Sequence, residues 1–201
     1  MAETINVIAA FDLDGTLTER DTFTDLVVHT FGYSRLVAGF FANTPVLLKY
    51  LFKIASGQSA KEALFAYYFK GWRVEDFDGR CKAYSQSRLP RLMKGEALSR
   101  CDWHRQQGHR LVCISASIRN WIAPWALDHG FAQVIATEAE TDGGVVTGRF
   151  NGKNCHGPEK VRRFLELFPE RDRYTLFAYG DSRGDEALLS FADYAYFRRF
   201  Q

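Results

Sequence analysis

Three short apolar runs in this chain each stop on a side chain able to carry chemistry, and this narrows the fold more than any other feature. Residues 5–11 give way to Asp12, Asp14 and Gly15; residues 109–114 end at Ser115; residues 174–179 end in Gly180-Asp181-Ser182. Runs of this length bounded by turn residues read as buried strands. A further run, Val134-Ile135, leads into residues 138–150, where Asp142-Gly143-Gly144 between threonine and valine residues predicts a hairpin. Helices are expected over about 96–107, 118–128, 158–168 and 185–191, the third opening with proline in its first turn. Strand and helix thus alternate at both ends of the chain. That pattern predicts an α/β fold, a three-layer Rossmann-like parallel sheet with helices on both faces. Ligands of such sheets bind outside the carboxyl ends of the strands, so Asp12, Ser115 and Asp181 are expected to converge.

Residues 21–88 have a different texture. Apolar side chains recur at helical spacing (Phe23, Leu26, Val27; Leu64, Phe65, Tyr68) without strand alternation. Residues 1–20 and 89–201 are therefore expected to form the catalytic core, and 21–88 a helical cap inserted after the first strand. From Leu26 through Lys61 there is no acid, while Arg35, Lys49, Lys53 and Lys61 are basic. Two readings stand: a packed cap with solvated basic residues, or a basic, apolar surface that meets a membrane or an anionic lipid substrate.

Composition excludes several classes. A formal charge of +2 does not support nucleic-acid binding, which usually shows a pronounced basic excess. Cys81, Cys101, Cys113 and Cys155 have no CxxC spacing, so they suggest neither a zinc site nor a disulfide framework. Reduced thiols in a cytosolic enzyme are expected, with Cys113 in the core. The first ten residues contain an acid and no basic cluster, which reads as a strand rather than a signal peptide. No window approaches ~18 consecutive apolar residues, so no membrane span is expected. The expected location is the cytoplasm, with peripheral contact at the inner membrane face if the cap is a membrane surface. His29, His104, His109 and His129 lack metal-ligand spacing, and Trp121 and Trp125, four apart, read as helix-face core.

Asp12-Leu13-Asp14-Gly15-Thr16 sets two carboxylates two positions apart after a buried strand. While the chain stays extended both face the same way. The pair suits a nucleophile with a separate general acid/base, and equally a hard cation such as magnesium, which prefers oxygen ligands. Alone it is weak, because aspartate and glycine are common turn formers.

Three further segments strengthen it. Ser115 follows Leu111-Val112-Cys113-Ile114, Lys160 closes Gly157-Pro158-Glu159-Lys160, and Gly180-Asp181-Ser182-Arg183-Gly184-Asp185 comes last. With Phe11-Asp12-Leu13-Asp14-Gly15-Thr16-Leu17, the four in this order resemble the haloacid dehalogenase superfamily. The helical insertion resembles its phosphoserine-phosphatase-like branch, subfamily IB. The resemblance implies a magnesium-dependent phosphomonoester hydrolase in which Asp12 becomes an aspartyl phosphate and Asp14 is general acid and base. It further implies that the Asp12 carboxylate, the Asp14 main-chain carbonyl and Asp181 hold magnesium. Ser115 and Lys160 would bind the phosphoryl group, Thr16 would brace its cradle, and Asp185 would support from behind. Dehalogenases of this fold lack the second aspartate, so Asp14 favours a phosphate ester over a carbon–halogen bond.

The chain departs from phosphoserine phosphatases in three places. Gly184 stands where they have asparagine, and His156 where they have lysine; His156 is the alternative phosphate ligand should Lys160 point away. Asp21 stands where they use glutamate to hold the substrate's amine, or it caps the first cap helix. The resemblance implies a small-molecule or lipid-linked phosphomonoester as the expected substrate. Resemblance to phosphatidylglycerophosphate phosphatases makes a phospholipid phosphate at a membrane surface the alternative. From another class, a phosphate-binding module without turnover would keep the same fold.

Overall fold

The structure, a computed structural model, describes residues 6–200; Ile5, with which the expected first strand begins, lies outside them. Strand β1 (Asn6–Phe11) is followed by five helices: α1 (Thr22–Phe31), α2 (Tyr33–Ala42), α3 (Thr44–Leu51), α4 (Gly57–Phe69) and α5 (Val74–Ser87). Then come α6 (Gly95–Gln106), β2 (Arg110–Ile118), α7 (Arg119–Asp128) and β3 (Gln133–Thr137). The hairpin β4 (Ala139–Asp142) and β5 (Val145–Phe150) precedes α8 (Pro158–Leu167), β6 (Tyr174–Gly180), α9 (Glu186–Phe191) and β7 (Tyr194–Phe197). The sheet order is β3-β2-β1-β6-β7, with every neighbouring pair parallel.

Alternating side chains of the central strands enter two different cores. Ala9, Phe11, Leu111 and Cys113 pack with Ala97 and Cys101 of α6 and with Trp121, Ile122 and Trp125 of α7. Ile8, Ala10, Val112 and Ile114 face the other way, onto Phe164 of α8 and Leu188 of α9. A strand buried on both faces reads as a continuous apolar run, which is why the three runs were legible. This is the expected three-layer Rossmann-like arrangement. The four cysteines are all free and buried. Strand β7 went unread because it is an edge strand, with Tyr194 and Phe197 about half exposed.

The helical layer between β1 and β2 is locked by polar as well as apolar contacts. Arg88 clasps Asp25 with two hydrogen bonds (2.9 and 2.7 Å), and Tyr84 donates to the same carboxylate at 3.2 Å. Helix α1 is thereby tied to the end of α5. The sequence places residues 138–150 with the core. In the structure this hairpin also joins the helical layer: Gly71 N–H donates to Val146 O, Val146 N–H to Trp72 O, and Val74 N–H to Gly144 O. Phe150 meets Phe65 of α4 at a ring separation of 5.9 Å. The hairpin and α4 therefore share an apolar seam beside the carboxyl ends of the strands.

Candidate active site

Because β1 lies between β2 and β6, the carboxyl ends of these three strands form one rim. Asp12 extends the β1 ladder by one bond, its N–H donating to Tyr179 O at 2.9 Å. The chain then turns at Gly15, whose φ of 83° suits glycine; a Cβ there would stand 2.3 Å from Asp181 Oδ2. Tight approach of this turn to the end of β6 is thus built into the sequence. Thr16 Oγ1 spans the same gap, donating to Asp181 Oδ1 at 3.2 Å.

Lys160 reaches this rim from the first turn of α8 and is 1% exposed. Its ammonium donates to Asp12 Oδ1 (2.5 Å), Asp185 Oδ1 (2.6 Å) and Ile114 O (3.1 Å), which uses all three protons. Burial acts to lower the Lys160 pKa, but Asp12 and Asp185 outweigh it and hold it above the ordinary lysine value. Burial pushes the Asp12 pKa up to about 7, against the pull of Lys160. Asp185 goes the other way: burial would raise its pKa, yet Lys160 and the Ser182 hydrogen bonds hold it below the usual carboxylate range. Its Oδ2 accepts from Asp181 N–H (3.2 Å), Ser182 N–H (3.0 Å) and Ser182 Oγ (2.9 Å), fixing the turn that carries Asp181.

Carboxylate oxygens of Asp12, Asp181 and Asp185 lie within 4.8 Å of one another. An all-oxygen set of this kind fits a hard divalent cation. Both Asp185 oxygens are engaged by Lys160 and by its own turn, whereas Asp12 and Asp181 each keep one carboxylate oxygen, Oδ2, without a hydrogen bond among the described residues.

Asp14 is held separately. Its Oδ1 accepts from Thr22 N–H at 2.7 Å and its Oδ2 from Ser117 Oγ at 2.5 Å. Behind these, Trp121 Nε1 donates to Thr22 Oγ1 (3.1 Å), which lies 3.0 Å from Ser117 Oγ. Burial raises the Asp14 pKa, Asp21 adds to it, and the Ser117 and Thr22 hydrogen bonds oppose it. Trp121 is core, as its spacing predicts, yet it also props the acidic turn. Ser117 was missed by sequence reasoning. The apolar run stops at Ile114, whereas β2 continues to Ile118 with irregular pairing between Ser115 and Ile118. Ser115 itself is fully buried, its Oγ accepting from Ser117 N–H at 3.0 Å.

His156 sits on the surface over Gly184; a Cβ at residue 184 would lie 2.7 Å from its Nε2. Two of the three sequence departures therefore face each other, and the small residue makes room for the imidazole. Lys160, not His156, is the side chain that meets Asp12. Asp21 caps α1, its Oδ1 accepting from Thr24 N–H at 2.7 Å, and also borders a cavity of about 250 Å³ above Asp14. The cavity wall is mostly apolar, with Phe23, Leu64, Phe65, Trp121 and Phe150, and Lys61 of α4 enters it as the cation.

A sequence profile described as haloacid dehalogenase-like hydrolase matches residues 9–190, from inside β1 into α9. The chain belongs to that family. Protein CicA of Caulobacter vibrioides is similar to this hydrolase at 33% identity over 196 residues, covering 97% of the chain and 87% of CicA. Among solved structures, a Bordetella pertussis Tohama I protein of unknown function superposes with a TM-score of 0.77 at 21% identity, covering 93% of this chain and 87% of that one. Phosphoserine phosphatase in a phospho-aspartyl intermediate analogue gives 0.64 at 14% identity, covering 93% and 83%. The T. onnurineus phosphoserine phosphatase gives 0.59 at 21%, covering 96% and 84%. At these identities the structural likeness shows the shared fold.

Two expectations follow for this hydrolase. Removing the Ser117 hydroxyl (Ser117→Ala) deletes a donor to a carboxylate, a bond worth about 1.5–3 kcal/mol, so turnover is expected to fall roughly 10–100-fold. Steady-state kinetics with little change in KM would agree; unchanged turnover would not. The second concerns pH. A carboxyl with its pKa raised to about 7 holds a proton at lower pH, and a cation must displace it. Apparent magnesium affinity is therefore expected to drop as pH falls below about 7, approaching tenfold per unit. Calorimetric titrations at several pH values check the slope, and a pH-independent affinity would contradict it.

Proposed function

We propose that this hydrolase is a magnesium-dependent phosphomonoester phosphatase that forms an aspartyl phosphate on Asp12. One observation carries the reading: a carboxylate at a strand end is paired with a buried lysine from 148 residues further on, beside two more acids of the same rim. The Asp12 oxygen attacks phosphorus in line as the bond from phosphorus to the ester oxygen breaks. Asp14 gives its proton to the departing oxygen, which an alkoxide needs in order to leave. Water then attacks the phosphoryl group, Asp14 takes the water proton, and the bond between Asp12 and phosphorus breaks to release inorganic phosphate. Lys160, exchanging one of its three present bonds, and Ser115 bind phosphoryl oxygens, Thr16 braces the cradle, and Asp185 positions Lys160. Asp12, Asp181 and the Asp14 carbonyl would hold magnesium, which would supply charge neutralisation. Phosphoryl transfer depends mostly on such positioning and neutralisation.

Residues 21–88 form the cap in this reading, and the cavity above Asp14 receives the leaving group. Its mostly apolar wall favours a leaving group with an apolar body, with Asp21 and Lys61 to engage polar ends. This favours, as a second reading, a lipid-linked phosphomonoester. The test is phosphate release from an aryl phosphate with magnesium and then with a chelator in excess. Release that stops on chelation is the expected result; release that continues unchanged would overturn the metal-dependent reading.

A further inference from the structure

Helices α2 and α3 are built the wrong way round for a soluble surface. Nine of the fifteen large apolar side chains that stand exposed among the described residues fall between Tyr33 and Ile54. Phe41, Phe52 and Ile54 are each about three-quarters exposed, at 75%, 74% and 75%. Helix α3 buries none of its residues, and α2 buries only Gly39. Scattered exposed apolar residues need no explanation, but a contiguous run of them marks an interaction surface.

The charge of the segment narrows the partner. Arg35, Lys49 and Lys53 lie within it, and the acid-free stretch runs from Leu26 to Lys61. With 10 and 8 residues, α2 and α3 are too short to cross a bilayer, and no helix among the described residues is long and apolar enough to do so. Short helices that combine exposed aromatic and aliphatic groups with basic residues and no acids suit the plane of an anionic membrane surface. We propose that the α2–α3 face docks on the surface of an anionic lipid bilayer.

The same face opens toward the candidate site. A groove of about 850 Å³ passes Leu47 and Tyr50 of α3, runs along Lys61 and Leu64 of α4, and reaches His156 and Arg162 beside α8. Lys61 and Leu64 also line the cavity above Asp14. A docked molecule would thus present an entry, basic along part of its wall, to phosphate groups at the bilayer surface. This consequence rests on the phosphatase reading; docking itself does not.

Cosedimentation of the full chain with vesicles tests the proposal, comparing phosphatidylserine–phosphatidylcholine mixtures with phosphatidylcholine alone. Binding to the anionic vesicles that weakens in high salt is expected. The double variant Phe41→Ser/Phe52→Ser should lower the partition coefficient roughly 100-fold, since two aromatic side chains lose their burial. Lys49→Gln/Lys53→Gln should lower it about tenfold at low salt. All these side chains lie outside the candidate site, so aryl phosphate hydrolysis in solution should stay at the wild-type level and report an intact fold. Failure of the wild-type chain to bind anionic vesicles, or binding that neither pair of substitutions weakens, would overturn the proposal. So would self-association in sedimentation velocity that Phe41→Ser/Phe52→Ser abolishes, because the face would then belong to a second copy. Vesicle binding without any aryl phosphate hydrolysis would sink the phosphatase reading and leave docking in place.

Discussion

Asparagine in place of Asp12 is expected to cut turnover of an aryl phosphate by roughly 10⁴-fold, the scale of losing a nucleophile. The melting curve should hardly move. Two effects oppose each other at this position. Asp12 loses the charge that pairs with Lys160 at 2.5 Å, but it also sheds the cost of a buried anion, the cost that pushes its pKa up to about 7. An asparagine carbonyl still accepts from Lys160, and Asp185 remains as the ammonium's counter-charge at 2.6 Å. Stability should therefore stay the same or rise slightly while activity vanishes. Paired kinetics and thermal denaturation check this; retained turnover would remove Asp12 from the chemistry.

Methionine in place of Lys160 should damage both properties. Its side chain fills similar space without the ammonium that joins Asp12, Asp185 and Ile114 O. Two buried carboxylates would face each other unpaired, and breaking a buried pair in this way costs about 3–5 kcal/mol. Denaturant unfolding in metal-free buffer near neutral pH should show that loss. Magnesium should restore part of it, because a cation shared by Asp12 and Asp181 offsets the charge left behind. Turnover should fall about 1,000-fold even with saturating metal, since a cation set against the transferring phosphoryl group is gone. A variant within about 1 kcal/mol of the parent would mean that the triad contributes little to holding the fold, contrary to the usual cost of orphaned buried charge.

Much of this is legible in the amino-acid sequence itself. The three central strands β2, β1 and β6 announce themselves because both of their faces are buried, and their apolar runs end where a polar residue is needed. Asp12 after β1 and Asp181 after β6 follow directly from that rule. Lys160 does not, because it lies in the first turn of α8 rather than at a strand end; only the resemblance pointed to it, since nothing in the spacing of Gly157-Pro158-Glu159-Lys160 says how far its side chain reaches. Ser117 was hidden because irregular pairing beyond Ser115 lets β2 run on after its apolar stretch has ended. The helical layer was readable as helix but not as a packed body. Sequence periodicity assumes that apolar residues point inward, and α2 and α3 violate that assumption. The hairpin's attachment to the helical layer was equally invisible, because main-chain bonds such as Gly71 N–H to Val146 O leave no trace in side-chain pattern.

The sharpest check uses the Asp14→Asn variant with an aryl phosphate, whose leaving group departs without a proton. Transfer onto the enzyme can then proceed, while water lacks the base that would cleave the product. Acid-quenched protein, digested and sequenced by mass spectrometry, should carry one phosphoryl group on the peptide that contains Asp12. No trapped phosphoryl group, or one borne by another residue, would contradict the covalent role assigned to Asp12.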